Sequence, residues 1–203
     1  MTLFDRVFSG NDAVYGLTEG AIDGAIAKFG EDKAVSFPNT AYSLPCYYAV
    51  TGTKVTTLKE LKETHITPKD TLLFVFTTYE EVGHGCSSLP MVDEILVVDM
   101  GCVGADLTCT EEMVSICAKD GSGPYDYKMT SKLIHLAKEN NLNYAIDVYP
   151  FYSSDGSAAL RGGNDIKCAL IGAGIQASHG MERTHINGLN NTYKLIKLYI
   201  ENK

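Results

Sequence analysis

The sequence predicts an α/β protein: a layered mixed sheet flanked by helices, preceded by a small, mostly helical N-terminal segment. Three observations carry this. Apolar runs of strand length recur at 72–78, 94–100, 143–149 and 166–172. Helical apolar periodicity falls among them, at 126–140 and 188–201. Strands that alternate with helices form a layered sheet rather than a bundle or a barrel.

Two unlike pieces are expected, residues 1–63 and residues 64–203. In the first, Gly20-Ala21-Ile22-Asp23-Gly24-Ala25-Ile26-Ala27-Lys28-Phe29-Gly30 spaces its apolar residues as a helix does and stops on glycine. Phe37-Pro38-Asn39-Thr40 and Leu44-Pro45 break the next stretch. Thr57–Glu63 reads as a short polar helix, and Pro68-Lys69-Asp70 turns the chain into the first strong strand. That strand, Leu72-Leu73-Phe74-Val75-Phe76-Thr77-Thr78, is apolar throughout, as strands buried on both faces of a parallel sheet are. Glu94–Met100 follows, then Met113–Ala118. A helix over 126–140 presents Met129, Leu133, Ile134 and Leu136 or Ala137 on one face and ends at Asn140-Asn141. Strand 143–149, a short helix near 156–162, strand 166–172 and a terminal helix with Leu189, Tyr193, Leu195, Ile196 and Ile200 complete the order. There is no internal repeat.

A chain of 203 residues is long enough for one domain with a real core. Its net charge of −8 argues against a nucleic-acid partner. No apolar stretch is long enough to span a bilayer. Met1-Thr2-Leu3-Phe4-Asp5-Arg6 lacks the apolar core of a signal peptide, so a cytoplasmic location is expected. Six cysteines (Cys46, Cys86, Cys102, Cys109, Cys117, Cys168) include no C-x-x-C pair and are expected as reduced thiols. Cys117 and Cys168 fall inside apolar strand patterns and read as small buried hydrophobes.

The chemistry concentrates where strands end. The first apolar strand runs into Tyr79-Glu80-Glu81-Val82-Gly83-His84-Gly85. Open α/β sheets place their ligands at such ends. Two adjacent carboxylates repel unless a cation or a shared proton relieves them. One of them ligating a metal while the other acts as a base on metal-bound water is one way to do so; a solvated surface pair is the other. Asp99 closes the strand before Met100-Gly101, either as a ligand or as a strand-end cap. His179, in Ala177-Ser178-His179-Gly180-Met181-Glu182-Arg183-Thr184-His185, offers an imidazole that Glu182 could orient, with His185 competing for the role and a surface loop as the alternative. Asp155, after strand 143–149, reads as a helix cap with a secondary place in the cleft. Gly172-Ala173-Gly174-Ile175-Gln176-Ala177 imitates a dinucleotide-binding turn, but no helix opens directly behind it.

Together, Phe74–Gly85, Val98-Asp99-Met100-Gly101, Ala118-Lys119-Asp120 with Gly123-Pro124-Tyr125-Asp126-Tyr127, and Ala177–His185 closely resemble the M42 family of metallo-aminopeptidases, in family order, over about residues 64–203. The resemblance implies a hydrolase that removes N-terminal residues from peptides, uses zinc or cobalt and builds symmetric homo-oligomers. It implies Glu80 as general base and Glu81, Asp99 and His179 as metal ligands. Glu182, Asp155 and His185 would stand behind them. The family also draws a ligand histidine from a His-x-Asp element and a bridging aspartate from an Asp-Asp-Arg element, and neither element occurs in this sequence. Weak or absent activity of the chain by itself is therefore expected, with at most a single metal ion. Phe4–Gly10, Gly20–Ile26 and Phe37–Pro45 are similar instead to the extreme N-terminus of the acetyl-CoA synthase subunit of carbon monoxide dehydrogenase complexes. That similarity implies packing or docking surface, no catalytic residue, and a chimera with its seam near Lys62–His65. The alternative reading is a non-catalytic docking module or an inactive fusion.

Overall fold

Cys168–Ile175 is eight successive buried residues, and the sheet is arranged around them. In the structure, a computed structural model that describes residues 68–77 and 79–202, these residues form most of β6 (Lys167–Gln176). A strand buried on both faces needs neighbours on both edges, and β6 has three. It pairs in parallel with β1 (Glu94–Val98) and β2 (Gly101–Val103), and antiparallel with β3 (Val114–Asp120). Strand β3 in turn pairs in parallel with β5 (Tyr144–Val148) and antiparallel with the two-residue β4 (Gly123–Pro124). The described residues thus build a six-stranded mixed sheet.

Period-2 alternation sends neighbouring side chains to opposite faces. Val98, Ile171 and Ile116 meet one face, where α1 (Tyr127–Glu139) and α3 (Ile186–Glu201) bury Met129, Leu133, Leu136, Leu195, Ile196 and Ile200. Val97, Leu170 and Cys117 meet the other, with Tyr125, Tyr149 and Cys168. Asp126 starts α1 by accepting from the Met129 N–H at 2.9 Å. Asn140 caps the end of that helix, and Asn141 turns the chain with φ 52°.

Most expected elements are present with shifted bounds. The strand expected at 166–172 runs on to Gln176, so the glycines of the dinucleotide-like turn lie inside β6. The terminal helix begins at Ile186. Asp155 is not a cap: Ser154 caps α2 (Asp155–Arg161) by accepting from the Gly156 N–H at 3.2 Å, and Asp155 is the first helical residue. Cys117 and Cys168 are buried as expected, and the five described cysteines are free thiols.

The strand expected at 72–78 is a correction. Residues 71–77 hold no regular secondary structure. Leu72 and Phe74 pack against the core, while Leu73 is 55% and Phe76 44% exposed. A strand exists only through its ladder, and among the described residues no strand pairs with this segment, nor with the outer edge of β1. The helices expected at 20–30 and 57–63, and the first expected piece as a whole, lie outside the described residues.

Candidate active site

Glu80 and Glu81 sit on a single 3₁₀ turn, Glu80–Val82. Gly83 closes it in the left-handed region (φ 76°), with its N–H donating to the Glu80 carbonyl at 2.8 Å. The His84 N–H donates to the Tyr79 carbonyl at 3.0 Å. A tight turn displaces adjacent side chains by less than the half-turn of a strand, which keeps both carboxylates on one loop. Glu81 is exposed and Glu80 half-buried.

His179 is delivered by the loop between β6 and α3. Ala177 (φ 58°) and His179 (φ 60°) both take left-handed backbone. Such a conformation costs a residue with a Cβ roughly 1–2 kcal/mol, so something must hold it. A bridge between Gln176 and Arg183, with N–H to carbonyl distances of 2.9 and 3.1 Å, closes the loop. Inside it the buried Glu182 carboxylate accepts from the His179 N–H at 2.7 Å. Glu182 therefore stands behind His179, acting on its backbone. His185 takes no part in this cluster: its Nδ1 accepts from the Asn187 N–H at 3.1 Å and caps α3.

The loop brings His179 Nε2 to 3.8 Å from Glu81 Oε2. Both side chains are about half exposed or more, so their direct Coulomb attraction is weak. A nitrogen and a carboxylate oxygen facing each other at this separation fit two donors of one divalent metal. The third expected ligand does not join them. Asp99 lies between β1 and β2, with its N–H bonded to the Ile171 carbonyl at 3.0 Å and its Oδ1 accepting from the Met100 N–H at 2.7 Å. Among the described residues, no three of His, Cys, Asp and Glu stand together as a metal-holding group. Gly172 fixes Asp99 from the neighbouring strand, since a Cβ at Gly172 would collide with the Asp99 carbonyl.

Two buried carboxylates near this end of the sheet escaped the sequence reading. Asp120, 1% exposed, accepts from the Ser122 N–H at 2.7 Å, Tyr125 OH at 2.7 Å and Ser157 Oγ at 2.5 Å. Asp147, 3% exposed, accepts from Ser115 Oγ at 2.7 Å and Tyr149 OH at 3.0 Å. Burial drives the Tyr125 and Tyr149 phenols well above their ordinary range, which keeps both as donors. These networks tie β3 to β5 and α2. The signal for Asp147 was the alternation Ala145, Asp147, Tyr149 on the inward side of β5. For Asp120 it was an acid closing a buried strand, as Asp99 does.

Comparison with known proteins follows this geometry. Residues 51–195 match the sequence profile of the family described as M42 glutamyl aminopeptidase. A Bacillus subtilis (strain 168) protein described as "Putative aminopeptidase YhfE" is 45% identical over 130 residues, 63% of this chain and 38% of that protein. Three solved structures share the fold. The TET aminopeptidase of a marine sediment Thaumarchaeota archaeon aligns with TM-score 0.68 at 15% identity, over 73% of this chain and 45% of that one. The aminopeptidase APDkam598 of Desulfurococcus kamchatkensis aligns with TM-score 0.67 at 19% identity, over 77% and 47%. The Pyrococcus horikoshii TET1 peptidase, which assembles into a tetrahedron or a large octahedral shell, aligns with TM-score 0.64 at 23% identity, over 73% and 46%. The chain thus spans less than half the length of each of these relatives.

Proposed function

Because the chain belongs to the M42 glutamyl aminopeptidase family, we propose that it carries part of a metal-dependent aminopeptidase site acting on the N-terminal residues of peptides. The observation that supports this most is the approach of His179 Nε2 to Glu81 Oε2, 3.8 Å apart and next to Glu80, from segments far apart in sequence.

In this reading Glu81 and His179 are metal donors and Asp99 is the third. A bound zinc or cobalt ion supplies a polarised water of lowered pKa. His179 would offer its Nε2 as the imidazole donor. Glu182 holds the His179 backbone in place, which limits how far the ring wanders. Glu80, beside the ligand Glu81 on the same turn, takes the proton of the attacking water and returns it to the departing amine. Asp99 must move toward the pair for all three to share one ion.

The donors of the His-x-Asp and Asp-Asp-Arg elements are absent from this sequence, so slow turnover by the chain itself is part of the proposal. Self-association is part of it too, on the analogy of the shell-forming TET1 peptidase. A peptide is the substrate, and the residues ahead of the family match, which begins at residue 51, contribute packing surface only. No helix among the described residues is long and apolar enough to cross a membrane.

The test is hydrolysis of aminoacyl p-nitroanilides by the full chain with added zinc or cobalt. Slow metal-dependent turnover is expected, falling about 100-fold or more in Glu80→Gln. Undiminished turnover in the variant would remove Glu80 from its role. No turnover with either metal would end the reading of this chain as active by itself.

A further inference from the structure

Asp155 is a buried acid for which the proposed reaction has no use. It is 8% exposed and opens α2, yet the cap of that helix is Ser154. Burying a carboxylate is costly unless it is bonded, and the groups that meet this one flank the turn of Glu80 and Glu81. Ahead of the turn, Thr77 Oγ1 donates to Asp155 Oδ2 at 2.6 Å. Behind it, Gly85 lies against the same carboxylate, where a Cβ would fall on Oδ1. The Gly85 Cα–H thus faces an oxygen that is buried and accepts no hydrogen bond, a weak but favourable approach. Gly85 does not take left-handed backbone. The turn itself therefore does not require glycine there, and the close approach does.

Between these flanks the turn is closed only by its own N–H groups, Gly83 to the Glu80 carbonyl at 2.8 Å and His84 to the Tyr79 carbonyl at 3.0 Å. One carboxylate grips both sides of a loop that no strand ladder holds among the described residues.

Asp155 can serve as an anchor because α2 is itself fixed. Ser154 Oγ and Tyr125 OH are 2.7 Å apart. Ser157 Oγ and Tyr125 OH both donate to the buried Asp120 at the end of β3, at 2.5 and 2.7 Å. Gly156 presses on β6, where a Cβ would collide with Cys168 Sγ, and a Cβ on Gly162 would come within 2.6 Å of the Ser87 carbonyl. The Asp120 network links the paired sheet to the unpaired turn through α2.

We propose that Asp155 is a positioning residue for Glu80 and Glu81, holding both flanks of their turn against α2. Its importance for chemistry rests on the peptidase reading; the hold itself does not. A turn free to swing would spread Glu81 over many positions relative to His179, and an incoming metal ion would have to order it, which lowers affinity.

The test is amide hydrogen exchange in the full chain, followed by NMR with chelator present, so that neither metal nor turnover enters the result. The Gly83 and His84 N–H groups report the turn, and those of Leu170 and Ile171 report the sheet. Thr77→Val keeps the shape and loses the hydroxyl, Thr77→Ser keeps the hydroxyl, and Gly85→Ala drives a methyl group into the carboxylate. In Thr77→Val, Gly85→Ala and Asp155→Ala the turn amides are expected to exchange at least about tenfold faster with the sheet amides unchanged. In Thr77→Ser they are expected to stay as slow as in the parent chain. Should Asp155→Ala unfold, the two Thr77 variants decide. Turn amides unchanged in Thr77→Val, or turn and sheet amides loosened together as a merely structural role would have it, would overturn the proposal. Zinc affinity, measured by competition with a chelating dye, is expected to fall at least about fivefold in Thr77→Val and to be kept in Thr77→Ser; equal affinity in the two would overturn it as well. A turn that loosens as expected in a chain that binds no zinc would refute the metal-site reading alone. A chain that binds zinc and turns over, with slow turn amides in Thr77→Val, would refute this one alone.

Discussion

Leu72–Phe76 and Cys168–Ile175 are both apolar runs, yet one lies irregular at the surface and the other is the buried middle of the sheet. Hydrophobicity does not separate them. Neighbours do: β6 exchanges hydrogen bonds with β1, β2 and β3, whereas the 71–77 segment has no described ladder. An apolar sequence supplies the driving force for burial, and strand pairing decides whether the backbone can follow it. The contrast carries over to function. Asp99 hangs from the well-paired part, while Glu81 hangs from the unpaired part, and these two donors do not stand together with His179.

The sharpest way to break this comparison is to delete side chains from each run. Ile171→Ala, at 1% exposure in β6, is expected to cost about 2–5 kcal/mol of unfolding free energy. Leu73→Ala, at 55% exposure, is expected to stay within about 0.5 kcal/mol. Urea unfolding of the two variants measures both. Similar losses would mean that the 72–76 run is as tightly built as β6.

A smaller effect concerns the thiols of the paired region. Burial pushes Cys117 and Cys168 from the ordinary 9.0 up to about 12, and Cys102 to about 11. The folded state thus keeps these protons to higher pH than the unfolded chain does. Their contribution is complete below pH 9.0, and it is lost as pH rises from there toward 12. The melting temperature is expected to fall steadily across that window. Cys117→Ala should flatten the fall, and an unchanged slope would contradict the assignment.

Much of the paired region was legible in the sequence. Period-2 and period-3.6 patterns are local, and the seven elements from Glu94 onward that were expected all appear, with bounds shifted by a few residues. Asp126 and Asn140 read as helix ends because caps are local as well. What was not legible depends on partners distant in sequence. The run at 72–77 carries the local marks of a buried strand, but among the described residues no strand pairs with it. Asp155 carries the marks of a cap, but Ser154 stands one residue earlier and takes the role. The approach of Glu81 and His179 was expected only from the resemblance, since no spacing rule links positions so far apart. Asp120 and Asp147 were passed over because their donors come from other elements.

The account turns on whether Glu81 and His179 grip the same ion. Zinc K-edge X-ray absorption on the untagged chain, loaded with one equivalent of zinc, addresses that most directly. The account predicts a first shell containing imidazole nitrogen, with zinc affinity reduced at least tenfold in both His179→Ala and Glu81→Ala. A spectrum and an affinity that neither substitution changes would contradict it.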